Sequence, residues 1–166
     1  MMITSEKKKK TDRRILYGFL AIIWMIVIFI YSAQSGISSG NTSSDVTYFI
    51  LNALTQIGLI SACNFTPHEI MQAEGIIRTI AHFIEYFILG IIVFMFIMYT
   101  AGKKTYTRIL YTFIICGVYA LTDEIHQYFV PGRAMQLSDW LTDAAGILSG
   151  IIIMIIITRH GLTKDN

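Results

Sequence analysis

The stretch Leu121–Gly150 reads LTDEIHQYFVPGRAMQLSDWLTDAAGILSG and sets Asp123, Glu124, His126, Gln127, Arg133, Asp139 and Asp143 between long apolar runs. Asp123, His126 and Gln127 stand at i, i+3 and i+4, one face of a helix. Asp139, Asp143, Gly146 and Gly150 form a second stripe, acidic and then small. Pro131-Gly132 between them is a turn signal that ends the first helix and begins a short connection. The pattern therefore predicts two helices that bring acids and a histidine to a shared turn. An ordinary polar hairpin between helix ends is the bland alternative. Where the flanking segments span a membrane, embedded ionisable groups are functional by default.

The flanks satisfy that condition. Of the 166 residues, 54% are hydrophobic even without counting Gly, against about 45–50% with Gly included in soluble domains. Mean hydropathy is +0.58. The chain reads as one all-α integral membrane domain: a bundle of four transmembrane helices plus an outer amphipathic helix. The net charge of +2 is too small and too segregated to support nucleic-acid binding. Cys63 and Cys116 lack metal-type spacing and fall in different environments, an outer loop and mid-membrane, so each is expected as a small packed residue rather than half of a disulfide.

In chain order, residues 1–14 (MMITSEKKKKTDRR) form a basic arm, expected to be irregular or surface-lying and held at anionic lipid. Spans are predicted near 15–33, 79–100, 106–127 and 140–158, each near the roughly 20 residues needed to cross a bilayer. The 15–158 region is the membrane domain and 159–166 a short tail. The Ser/Gly/Asn/Thr-rich stretch through Ser44 reads as a loop. Ser44 or Asp45 then caps an amphipathic helix to about Gly58, with Val46, Phe49, Ile50, Leu54 and Ile57 on its apolar face. Thr66-Pro67-His68-Glu69 has the pattern of a capped helix start, and Gly75 is a candidate bend.

Eleven of the thirteen Lys and Arg lie in the arm, in the 103–108 loop (Lys103, Lys104, Arg108) and in the tail (Arg159, Lys164). By the positive-inside rule all three are cytoplasmic, which four crossings allow. The embedded polar groups then fall at the opposite, outer ends: Ser32, Gln34 and Ser35 after span one; Arg78, His82 and Glu85 at i, i+4, i+7 opening span two; Asp123 to Gln127 closing span three; Asp139 and Asp143 opening span four. Together they predict an outward-facing polar pocket in the membrane. Arg78 and Arg133 are its only basic side chains and suit a phosphate, which guanidinium groups bind bidentately; the alternative is that each pairs with Glu85 or Asp139 and ties helices together. His82 and His126, assisted by Glu85 and Asp123, are the candidate acid–base groups. Ser32, Gln34, Gln127, Asp139 and Asp143 join the arginines as candidate binding residues. His82, His126, Asp123, Glu124 and Asp143 are metal-type donors, but no compact signature such as HExxH is present, and neither a metal nor a cofactor is assigned. Gly146 and Gly150 form a GxxxG that admits close helix approach.

Four blocks carry a family resemblance: Ser32-x-Gln34-Ser35; Arg78-x-x-x-His82-Phe83-x-Glu85-Tyr86-x-x-Leu89-Gly90; Asp123-Glu124-x-His126-Gln127-x-Phe129-Val130-Pro131-Gly132-Arg133; and Asp139-x-x-x-Asp143-x-x-Gly146. In order and over about 15–158, they resemble the VanZ-like family. The resemblance implies a small multi-pass protein of the bacterial cytoplasmic membrane. The family's namesake raises resistance to teicoplanin, a lipoglycopeptide acting at the outer face of that membrane. It further implies an enzyme acting on lipid or lipid-linked cell-wall precursor head groups. Two alternatives to a catalyst stay open: a non-catalytic binder that limits drug access, and a scaffold whose charges rigidify the bundle. Oligomeric state is not legible.

Overall fold

The computed structural model describes residues 2–59, 66–100 and 104–162, in which five α-helices occur and no strand. They are α1 (Met2–Ser32), α2 (Gly36–Gln56), α3 (Pro67–Thr100), α4 (Thr105–Tyr128) and α5 (Leu137–Leu162). All but α2 are long and apolar enough to cross a membrane. Large apolar side chains stay exposed along their outer faces, among them Phe19 and Ile22 on α1, Leu110 on α4 and Ile156 on α5. Lipid is as apolar as these side chains, so they need no protein cover.

Helix α3 is the hub and touches each of the other four. α1 runs antiparallel to it: Arg13 donates to the Tyr99 hydroxyl at 2.8 Å, Tyr17 stacks on Tyr99, and Trp24 Nε1 donates to the Glu85 carbonyl at 2.9 Å. α4 runs parallel to α1, with the Tyr119 hydroxyl on the Met25 carbonyl and His126 stacked on Phe29. α5 runs parallel to α3, since His82 meets Asp143 and Gly90 meets Ile147. The basic N-terminal arm, the start of α4 and the end of α5 thus share one end of the bundle. The core between the helices is built from Ile28, Tyr86, Leu89, Phe94, Cys116, Ala120 and Ile147. Cys116 is a free, buried thiol packed there; Cys63 lies outside the described residues.

Four expectations are corrected. Residues 2–14 are not irregular but helical, continuous with span one, because straight-chain Lys and Arg are good helix formers and the span behind them is already nucleated. The stretch 36–44 is helical as well: Ser35 caps α2, its hydroxyl accepting from Ser38 N at 3.2 Å, and the cap outweighs the turn preference of the residues that follow. α3 is unbroken through Gly75 from Pro67, where Glu69 accepts from Thr66 N and Oγ1 at 2.8 Å each. At 34 residues it measures about 51 Å, well beyond a core of about 30 Å. Its first turns therefore project past the apolar layer, where the Ser44 hydroxyl of α2 bonds Glu74. α5 begins at Leu137, three residues before the expected start.

The α3–α5 contact is made by backbone. A β-carbon on Gly146 would stand 2.5 Å from the Phe83 carbonyl oxygen, and one on Gly150 2.5 Å from that of Phe87. Helices without a hydrophobic force between them associate through such close packing. A second backbone contact closes the polar end: Gly36 N donates to the Pro131 carbonyl at 3.0 Å, and Gly36 leaves no room for a β-carbon beside the Gly132 carbonyl. Gly132 itself has φ +77°, a conformation open to glycine. Gly146→Ala should therefore lower stability by about 1–3 kcal/mol, the usual cost of overpacking. Gly75→Ala, with nothing within 4 Å of the added carbon, should be neutral or raise stability by about 0.5–1 kcal/mol. Thermal unfolding in detergent measures both; equal effects would contradict the backbone contact.

Candidate functional site

The helix ends opposite the basic arm enclose a cavity of about 210 Å³. The end of α1 closes one wall with Tyr31 and Ser32, and Gln34 joins them from the turn to α2. The first turns of α2 contribute Ser39, Thr42, Ser43 and Val46, spaced three to four apart as one helical face requires. Arg78, Ala81, His82 and Glu85 come from α3, Asp123 and Gln127 from α4, and Arg133 from the connection to α5. Eight of the eleven residues singled out in the sequence line this one space. An adjoining cavity of about 270 Å³ is shared by Arg78, Gln127, Arg133 and Asp139, so Asp139 faces the same two guanidinium groups from the other side.

Asp143 sits behind the wall. It is fully buried, and its Oδ1 lies 3.2 Å from His82 Nδ1. The pair fixes the imidazole ring and leaves Nε2 as the nitrogen available for proton exchange. Asp123 is held by its own helix, with Gln127 Nε2 donating to Oδ2 at 3.2 Å. The Ser32 and Tyr86 hydroxyls lie beside it without completing a hydrogen bond of standard geometry. Glu124 has no exposed surface, and its Oε2 accepts from Gln136 N at 3.0 Å just ahead of α5. It thereby ties the close of α4 to the opening of α5.

One arginine is held by a hydrogen bond and neither is neutralised. Arg133 Nη2 donates to Ser39 Oγ at 2.7 Å, and Nε of both Arg78 and Arg133 is buried without a partner. Among the described residues no carboxylate forms an ion pair with either group, so the helix-tying alternative does not describe this arrangement. Burial, with the nearby Arg78 guanidinium second, draws the Arg133 pKa below its ordinary value, partly offset by Asp123, Glu124 and Glu85. Two adjacent guanidinium groups with unused donors form a fork suited to an oxyanion.

One expected member is elsewhere. His126 does not line the cavity; its ring stacks on Phe29 with centroids 4.5 Å apart. On an ideal helix it trails Asp123 by about 60° and Gln127 by about 100°, enough to turn it toward α1. Conversely, Tyr86 and the α2 hydroxyls lie outside the residues singled out in the sequence, and Glu124 figures there only as a metal-type donor. Ser39, Thr42, Ser43 and Thr47 carry a helical spacing that the Ser/Gly-rich composition around them obscured.

The model of the VanZ/LLP1 family matches residues 17–158. No curated protein matches the chain, and no solved structure does. The matched region takes in α1 from Tyr17 onward, all of α2, α3 and α4, α5 as far as Thr158, and every residue lining the cavity. This multi-pass membrane protein belongs to the VanZ/LLP1 family.

Proposed function

We propose that the cavity binds the phosphate of a lipid or lipid-linked cell-wall precursor head group at the outer membrane surface and that the site acts chemically on it. The observation that carries this reading is the convergence of Arg78 and Arg133, from different segments, on one cavity with Nε of each unpaired. Charge-assisted bonds to phosphate are about twice as strong as neutral ones, and a partly enclosed site weakens their competition with water. His82, oriented by Asp143, is the proton-moving group, with Glu85 and Asp123 as the neighbouring carboxylates. Ser32, Gln34 and Gln127 supply polar contacts to the rest of the head group. His126 has no direct part in this reading.

Orientation follows from charge. Lys7 to Lys10, Arg13, Arg14, Lys104, Arg108 and Arg159 belong to the end of the bundle remote from the cavity. The positive-inside rule places that end and both termini in the cytoplasm and turns the cavity outward. An outward head-group site fits a contribution to resistance against teicoplanin-type glycopeptides, whose targets lie on that surface.

Arg78→Ala and Arg133→Ala should each weaken binding of a phosphate-bearing head group about 10- to 100-fold, the worth of one or two charge-assisted hydrogen bonds. Titration of the purified protein with lipid nanodiscs measures it; unchanged affinity in both variants contradicts the phosphate role. His82→Gln should bind normally yet lose the change in head-group composition that mass spectrometry detects between cells with and without the protein. If His82→Gln still produces that change or still protects cells from drug, the site is a non-catalytic binder. For orientation, single cysteines at 38 and 105, in a background without Cys63 and Cys116, should differ in intact cells. A membrane-impermeant reagent should modify position 38 alone, and labelling at 105 alone reverses the assignment.

A further inference from the structure

Behind the cavity wall, His82, Glu124 and Asp143 each present a ligand-type atom, and the three atoms lie within 4.8 Å of one another. They come from three helices, α3, α4 and α5, and all are buried: His82 is 7% exposed, Glu124 and Asp143 not at all. The His82 Nδ1 to Asp143 Oδ1 distance of 3.2 Å is close to the edge of about 3.3 Å between two ligands of a tetrahedral ion with bonds of about 2.0 Å. The other separations reach up to 4.8 Å, so the Glu124 carboxylate has to close in by up to about 1.5 Å to complete such a triangle. Two oxygens of the cluster are also unspent. Glu124 uses Oε2 on Gln136 and Asp143 uses Oδ1 on His82, while Glu124 Oε1 and Asp143 Oδ2 are buried with no hydrogen-bond partner.

Charge asks for a cation at the same place. Glu85, Asp123 and Asp139 add their fields to this cluster, and among the described residues neither Arg78 nor Arg133 forms an ion pair with any of the acids. Among the described residues Asp143 has only His82 beside it and Glu124 no ion pair at all; carboxylates so buried are costly, and a divalent ion compensates two at once. From this geometry we infer that His82, Glu124 and Asp143 form a binding site for one divalent transition-metal ion of the Zn²⁺ or Mn²⁺ class. One imidazole and two carboxylates make a mixed nitrogen–oxygen set that suits these ions better than Ca²⁺ or Mg²⁺. Three protein ligands leave a coordination position open, as at catalytic metal sites, and of the three residues His82 lines the cavity. The site stands on its own donors and does not depend on the head-group reading.

The test uses the full-length protein in detergent, stripped with a chelator and dialysed against Zn²⁺ or Mn²⁺. Elemental analysis should find about one ion per chain, and the reloaded protein should unfold at a higher temperature than the stripped one. Glu124→Gln and Asp143→Asn should lower the affinity at least about tenfold, while Asp45→Asn, an exposed acid on α2, should leave it unchanged. Should those variants not fold, Co²⁺ bound to the wild type provides the readout: visible d–d bands of a low-coordinate nitrogen–oxygen site that Zn²⁺ abolishes by competition. Uptake no greater than in a detergent blank, full affinity in both folded variants, or a Co²⁺ spectrum identical to that of the hydrated ion overturns the assignment.

Discussion

Helix α5 lies against α3 at backbone distance, and the position of each polar group in the cavity follows from that closeness. Gly146 and Gly150 place α5 on the Phe83 and Phe87 carbonyls. Asp143, one turn before Gly146, is thereby brought within reach of His82, one residue before Phe83. A side chain at either glycine would hold the helices apart and leave a buried histidine and a buried aspartate without each other, an arrangement more costly than the pair. The same principle acts at the polar end, where Gly36 and Gly132 let the α1–α2 turn rest on the α4–α5 turn. That second contact carries Arg133 to Ser39 and sets one guanidinium opposite Arg78.

Electrostatics then gives the enclosure two halves. The arginines, with the hydroxyls of α2, face the open cavity. The carboxylates of Asp123, Glu124 and Asp143 lie deeper, 3% exposed or less. Opposite charges at this proximity would ordinarily collapse into ion pairs, because pairing offsets most of the cost of desolvation. Here hydrogen bonds to Ser39, Gln127 and the Gln136 backbone hold the groups in place instead. The outcome is an unsaturated donor face above an unsaturated acceptor cluster, which differs from the closed networks of purely structural charges.

Much of this architecture was legible in the chain itself. Uninterrupted apolar runs gave the spans, because lipid imposes a length and forbids unpaired backbone. The segregation of Lys and Arg grouped the helix ends, and the i, i+4, i+7 spacing of Arg78, His82 and Glu85 put them on one wall. The failures share a cause, which is that contacts between helices decide what local composition leaves open. The composition of residues 36–44 reads as loop, yet the Ser35 cap and packing against α3 make that stretch, with Gly36 at its head, helical. Spacing identified His126 and Asp123 as neighbours, but about 60° of helical phase sends one toward Phe29 and the other into the cavity. Glu124 passed as one acid among several because nothing in a sequence distinguishes a fully buried carboxylate from its exposed equivalent.

The central claim is that Arg78 and Arg133 form one anion fork rather than two helix ties. An experimental structure of the protein in nanodiscs that contain a phosphate-bearing lipid tests this most directly. The account predicts phosphate oxygens within about 3 Å of donors on both guanidinium groups, in the cavity that Ser39 and His82 also line. Arg78 and Arg133 paired directly with Glu85 and Asp139, with the lipid phosphate bound elsewhere, would contradict it.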